Sequence, residues 1–322
     1  MTVSSPTRYL VDSTGTTGEV SRQAIEDRLA AGTFFWLDIA PPEEADFELL
    51  HEVFGFHALA LEDSDHFGQR PKLDEYDGYA FLVAYGANHD EDRLVEVHCF
   101  AAEKFLVTVH RDEAPAFDRV RERFPSQHAR VHGALLLYEV VDGLVDSFFP
   151  VLADLDERID TLEDAIFRRP DNAQLQEIFA MKRQLVDFRK VITPQRDLFA
   201  RVATSASPVP GMSAEAERYY RDVYDHLIRI SDLVDSYRDL MTGTMDVYLS
   251  TVSNRLNDVM KQLTIIATIF MPLAWLTGFF GQNFPFMIVH VAGWTRFLLL
   301  GIVPELVAVI ALVLVFRRRG WV

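Results

Sequence analysis

Glu305 is the one charge inside an apolar run of 20 residues, Phe297 to Phe316 (FLLLGIVPELVAVIALVLVF). A carboxylate is costly at the centre of so apolar a stretch, so it points to ion or proton handling or to a helix contact. A second set of carboxylates, Asp142, Asp146, Asp154, Asp156, Asp160, Glu163 and Asp164, follows one side of a helical pattern between Ala134 and Arg168. Acids at that density attract cations. No nucleophile and base pair, no Gly-rich phosphate loop and no Cys/His metal cluster is visible, and His51, His57, His66, His98 and His110 lack ligand spacing. The expectation is a protein that is not an enzyme and holds no organic cofactor.

The charge distribution narrows the partners. Of the net −17, residues 257 to 322 contribute +3, from five Lys/Arg against two acids, which leaves −20 for residues 1 to 256. Such a body would repel phosphate, which excludes nucleic acid, and favours divalent cations. The single cysteine, Cys99, lies in the apolar run Val97 to Phe100 and reads as a buried, inert thiol in a cytosolic body. Met1 to Leu10 shows no secretory signal.

Two runs have the length of membrane spans. Leu263 to Phe280 (LTIIATIFMPLAWLTGFF) has 18 uncharged residues, and the run around Glu305 has 20. At about 1.5 Å per residue they reach about 27 to 30 Å, the thickness of a hydrocarbon core. Arg255 and Lys261 precede the first and Arg317, Arg318 and Arg319 follow the second, whereas the loop between them carries only Arg296. The positive-inside rule therefore sets both ends in the cytoplasm, with Trp294 and Trp321 placed for the two interfaces. Two spans cannot enclose a water-filled path, so transport requires a homo-oligomer in the lipid membrane.

The elements that must position these groups follow from periodicity. Phe34 to Ile39, Tyr79 to Tyr85, Leu94 to Phe100 and Lys104 to His110 read as strands, with a helix from Glu43 to Phe54. Long helices begin after Gly133; Pro170 and Asp171 restart the chain, and Pro194 should kink or interrupt the helix that runs to about Arg201. From Ser213 to Phe280 a helical pattern continues through Gly243, Pro272 and Gly278, long enough to join the soluble body to the first span. The expected organisation is an α/β domain over 1–133, acidic helices and a stalk over 134–256, and a pore helix, outer loop, second span and basic tail over 257–322.

Four stretches carry a family resemblance: HALALEDSDHFGQRPKLDEYDGYAF (57–81), YYRDVYDHLIRISDLVDSYRDLMTGTMDVYLS (219–250), NRLNDVMKQLTIIATIFMPLAWLTGFFG (254–281) and RRRGW (317–321). From about Phe35 to the C-terminus the sequence resembles the CorA superfamily of two-transmembrane-helix divalent metal ion transporters. The resemblance implies an α+β membrane protein: a cytosolic α/β domain, long stalk helices and two C-terminal transmembrane helices, assembled as a funnel-shaped homopentamer in the cell inner (plasma) membrane. The first span would line the pore. Mg²⁺ would be both transported and regulatory, with Co²⁺ or Ni²⁺ as further cargo.

The family's Gly-Met-Asn hallmark reads here Gly281, Gln282, Asn283, the implied selectivity filter. A ring of amide oxygens can hydrogen-bond the waters around a dication without stripping them, which suits an ion that dehydrates reluctantly. The same resemblance turns Asn257, Leu263, Met271, Ala274 and Gly278 toward the pore, with Leu263 and Met271 as apolar constrictions that close by dewetting. Ala274 stands where a hydroxyl residue is common. The implied regulatory metal site sets Glu62 and Asp63 of one subunit against Asp222 and Asp225 of the next; bound ions would neutralise facing carboxylates and hold the closed state. The loop NFPFMIVHVAGWTR (283–296) has no acid, only His290 and Arg296. That pattern is closer to the ZntB-like zinc branch, for which proton coupling is implied, with Glu305 as the coupling candidate and His290 as a candidate Zn²⁺ ligand.

Overall fold

The computed structural model describes residues 7–12, 15–17, 20–90, 93–127, 133–204, 209–282, 284–290 and 293–321. Two compact units divide the chain, Met1–Ala165 with Asp171–Met245 and Ile166–Pro170 with Asp246–Val322.

The first unit is built on a 7-stranded mixed sheet of order β2-β1-β3-β7-β6-β5-β4. Its strands are β1 (Thr7–Asp12), β2 (Gly15–Thr17), β3 (Phe35–Ala40), β4 (Lys72–Tyr76), β5 (Tyr79–Asn88), β6 (Arg93–Ala101) and β7 (Phe105–His110). Only β3 and β7 pair in parallel among these ladders. The central strands are buried on both faces, and β5 is buried along its whole length, as expected of a sheet covered on both sides. Phe35, Phe54, Phe56, Phe100 and Phe105 form one aromatic cluster on it.

The helices of this unit are α1 (Arg22–Ala31), α2 (Glu44–Phe54), α3 (Ala58–Asp65), α4 (Ala116–Gln127), α5 (Gly133–Asp146), α6 (Phe148–Arg168) and α7 (Asn172–Val202). Their ends follow local chemistry. Glu43 and Asp46 make a capping box at α2, and Asp171 makes one with Gln174 at α7. Pro194 does not interrupt α7: Val191, Ile192, Leu198 and Phe199 around it are buried, and that packing outweighs the lost backbone bond. The long pattern that began at Ala134 is in fact two helices, because α5 ends at Asp146 and α6 begins at Phe148.

One helix, α8 (Ala216–Phe280, 65 residues), contains the boundary between the units. The Ser213 hydroxyl accepts the Ala216 N–H and sets its start. Beyond it lie α9 (Pro285–His290) and α10 (Trp294–Arg318). Within α10 the backbone widens to a π-turn at Leu298–Ile302, immediately before Pro304. Proline removes an N–H and crowds the carbonyl four residues back, and a wider turn absorbs that clash. The RRRGW stretch is the end of α10: Trp321 N–H bonds the Phe316 carbonyl, Gly320 N–H bonds the Arg317 carbonyl, and Gly320 has φ +66°. This is a Schellman cap, closed by stacking of Trp321 on Phe316 at 5.8 Å. Lys261 donates to the Gly320 carbonyl at 3.2 Å, which ties the basic tail to the base of the first span.

Candidate pore and divalent-cation sites

α8 and α10 each hold a stretch long and apolar enough to cross a membrane, and those stretches are not buried in the chain. An apolar face without protein cover belongs against lipid or against other copies. Asn257, Leu263, Met271, Ala274 and Gly278 all lie on α8 and all are exposed. Their spacing puts them within about 120° of the helix circumference, at about 100° per residue. So one face carries the whole predicted pore set and leads to the helix end.

α8 stops at Phe280, and Gly281 turns the chain with its N–H on the Thr277 carbonyl at 2.9 Å. The turn uses no left-handed backbone at Gly281. A Cβ at this position would stand 3.0 Å from the Thr277 carbonyl oxygen, so close approach is the reason a glycine fits. Gln282 is exposed, and its carbonyl accepts the Phe284 N–H at 2.9 Å. Asn283 lies outside the described residues. Arg296 Nη1 donates to the His290 carbonyl at 2.6 Å, so the two ionisable residues of segment 283–296 are tied together. Glu305 is half-buried in the first turn after the π-turn.

The four predicted regulatory acids sit on two elements. Glu62 is exposed and Asp63 half-buried on α3, while Asp222 and Asp225 are exposed on α8. Asp63 is held by Lys72, whose Nζ lies 2.6 Å from its Oδ2 and 2.7 Å from Asp74 Oδ2. Burial pushes the Lys72 ammonium down, but the bonds to these two acids leave it above its usual value. No group of three ligands forms from these four acids within one chain, among the described residues.

A different trio does converge. Asp142 and Asp146, one turn apart on α5, face His226 on α8, and one ligand atom of each lies within 4.8 Å of the others. His226 Nδ1 is 3.0 Å from Asp146 Oδ1 and 3.8 Å from Asp142 Oδ1. All three atoms are shielded from solvent and have no hydrogen-bond partner among the described residues. Burial, then the Asp146 and Asp222 carboxylates, push Asp142 up to about 6 despite His226. Three facing, unsatisfied donors with mixed carboxylate and imidazole character form a set that a divalent cation would satisfy. The i, i+4 acids were visible in sequence as part of the acidic pattern; His226, 80 residues away, was not, because only the α5–α8 packing brings it there.

A buried polar network stands apart from these sites. Asp38 on β3 accepts from His110 Nε2 at 3.1 Å, from Thr108 Oγ1 at 2.6 Å and from Arg121 Nη1, and Trp36 Nε1 donates to Thr108 Oγ1 at 2.9 Å. Burial alone would push the Asp38 carboxyl up, but His110 and Arg121 outweigh it and hold it below its usual value. For His110 burial acts downward, and Asp38 with the Asp112 carbonyl carries it above its usual value.

Two apolar spans at the chain end, one continuous helix into the first of them and a mixed-sheet domain before it together define an architecture that comparison can test. A family model described as CorA-like Mg²⁺ transporter protein matches residues 31–318. The chain belongs to the CorA family. It is similar to the cobalt/magnesium transport protein CorA of Thermotoga maritima, 36% identical over 294 residues, 89% of this chain and 83% of that one. Its similarity to the zinc transport protein ZntB of Yersinia enterocolitica is lower, 26% over 218 residues, 66% of each chain. The complete structure of CorA from Methanocaldococcus jannaschii superposes with a TM-score of 0.81 at 22% identity, over 98% of this chain and 99% of that one, and shares the fold. A CorA-family chain with two membrane helices is a metal-ion transporter, and this family is one of transporters rather than enzymes.

Proposed function

We propose that this chain carries divalent cations, Mg²⁺ first and Co²⁺ or Ni²⁺ with it, through a homopentameric pore in the cell inner membrane, with both termini in the cytoplasm. The single observation that carries the reading is that Asn257, Leu263, Met271, Ala274 and Gly278, all exposed, share one face of α8, which stops at Phe280 just before Gly281. Copies arranged about an axis with that face inward enclose a path lined by an amide ring at its base, apolar rings at Leu263 and Met271, and the Gly281-Gln282-Asn283 sequence at its mouth. The membrane potential drives entry by about 4.6 kcal/mol for two charges at about 100 mV.

Regulation follows from the soluble unit. Cytosolic divalent ions bound by Glu62, Asp63, Asp222 and Asp225 would offset the −20 of residues 1–256 and hold the assembly closed. The Asp142, Asp146 and His226 trio adjoins this set through Asp222 and is a further ligand group for the same ions.

A ZntB-like, proton-coupled Zn²⁺ transporter is the second reading, favoured by the outer segment 283–296, which has no acid, and by Glu305 in the second span. One experiment separates them: purified protein in liposomes, with Mg²⁺ and Zn²⁺ influx measured with and without a pH gradient, and Asn283→Ala as the pore control. Mg²⁺ flux indifferent to the gradient and lost in Asn283→Ala supports the passive pore. Zn²⁺ flux that requires the gradient overturns it.

A further inference from the structure

Asp63 is half-buried and is not a free carboxylate in this chain. Its carboxylate is taken by Lys72, the first residue of β4, at 2.6 Å, and the same ammonium reaches Asp74 at 2.7 Å. Lys72 also lies over the Phe81 ring, 5.3 Å from its centroid, so its position is fixed from a third side.

The segment between Asp63 and Lys72 is clamped to the sheet. Glu96 accepts the Gly68 N–H at 2.5 Å and the Gln69 N–H at 2.9 Å, and the Tyr85 hydroxyl donates to the Gln69 carbonyl at 2.5 Å. Phe67 stacks on buried His98 at 4.6 Å, and Arg111 donates to the Asp65 carbonyl at 2.8 Å. With α3 and β4 held at both ends of this turn, an ion arriving at Asp63 need not remodel the backbone. It need only displace one ammonium.

We propose that Lys72 is a built-in competitor for the regulatory cation at Asp63, and so sets the ion concentration at which the transporter closes. The inference rests on the reading of Asp63 as a regulatory ligand. In the ion-free state the ammonium neutralises Asp63. When a divalent cation takes that carboxylate, Lys72 withdraws to Asp74, 2.7 Å away, and no charge is left without a partner. The exchange costs part of the ion's binding free energy, so the sensor responds to a higher ion concentration than the bare carboxylate would.

The test uses the purified full-length protein and two probes, Mg²⁺ and Co²⁺, and reads the ion concentration that gives half-maximal protection from chymotrypsin. Lys72→Met is expected to lower that midpoint about two- to fivefold, the range of a partly exposed ion pair. Asp74→Asn, which leaves Lys72 no second partner, is expected to raise it. In the Asp63→Asn background, Lys72→Met should have no further effect. If Asp63→Asn raises the midpoint but Lys72→Met does not lower it, competition is overturned while the regulatory reading stands. A midpoint unmoved by Asp63→Asn overturns that reading, and the competition with it. Equal increases in Lys72→Met and Asp74→Asn report local damage and also sink the proposal.

Discussion

Gln195 on α7 pairs with the backbone of Tyr85 on β5 as a missing strand would: its Oε1 accepts the Tyr85 N–H at 2.7 Å and its Nε2 donates to the Tyr85 carbonyl at 3.1 Å. The register explains the need. β4 pairs with β5 only as far as Val83, so the outer edge of β5 beyond that point has buried groups without a ladder partner. Ser147, at the junction of α5 and α6, serves the next site by accepting the Ala87 N–H at 2.7 Å. The break between those helices thus has a purpose, and the sheet is fastened to the long helices by side chains.

Gln195→Ala is expected to cost about 2 to 3 kcal/mol, because it leaves both Tyr85 groups buried and unpaired. Chemical denaturation should show the loss, and hydrogen exchange at the Tyr85 amide should rise well beyond that of neighbouring β5 amides. Unchanged exchange at Tyr85 would show that other groups satisfy it.

The Asp38, His110 and Arg121 network gives the soluble unit a signed pH dependence. Asp38 is held low, so its contribution is present above its unfolded value of about 3.9 and is lost as pH falls through the folded value below that. His110 is held high, so its contribution is complete below about 6.5 and is lost as pH rises through the folded value above that. Stability should therefore be greatest between about pH 4 and 6.5 from these groups. Asp38→Asn leaves buried His110 without its counter-charge and half-buried Arg121 with only Asp118, and is expected to cost about 3 to 5 kcal/mol. Denaturation midpoints across pH should fall in Asp38→Asn and lose both slopes.

Met271 and Leu263 provide a separate test of the pore. Both are strongly exposed on the single chain, at 73% and 58%. If they form dewetting constrictions, Met271→Asn should hydrate one ring and raise Mg²⁺ flux severalfold in liposomes under closing conditions, with little effect on ion-dependent protection of the soluble unit. Flux that stays at the wild-type level would place Met271 against lipid.

What was legible in the sequence was what one element can state alone. β3, β5, β6 and β7 announced themselves as apolar runs, and the two spans did so by length. β4 (KLDEY) was missed because an edge strand carries charge instead of an apolar signal, and β1 (TRYLVD) because it is short and polar at its start. Pro194 misled because local propensity yields to the buried residues on either side of it. The α5–α6 break follows from Pro150, which has no N–H for the Asp146 carbonyl and crowds it, whereas the use of Ser147 by Ala87 was invisible because that partner lies on β5, 60 residues away. The same limit hid His226, and it hid Lys72 as the partner of Asp63, since neither spacing has a helical or strand period.

The Asp142, Asp146 and His226 trio makes a prediction that separates metals. A hard ion such as Mg²⁺ prefers oxygen ligands and retains its waters, whereas Co²⁺ gains from an imidazole nitrogen. Replacing His226 with Asn should therefore weaken Co²⁺ more than Mg²⁺, while Asp142→Asn should weaken both. At about 100 times the dissociation constant an ion stabilises the folded state by about 2.7 kcal/mol, enough to read as a shift in unfolding midpoint. The expected outcome is a Co²⁺-induced shift that largely disappears in His226→Asn and a Mg²⁺-induced shift that mostly survives. The three atoms now lack hydrogen-bond partners, so the metal-free Asp142→Asn variant should also gain stability, as one of two crowded carboxylates is removed. If Co²⁺ and Mg²⁺ shifts fall together in His226→Asn, the imidazole is not a ligand and acts only through the packing of α8 on α5.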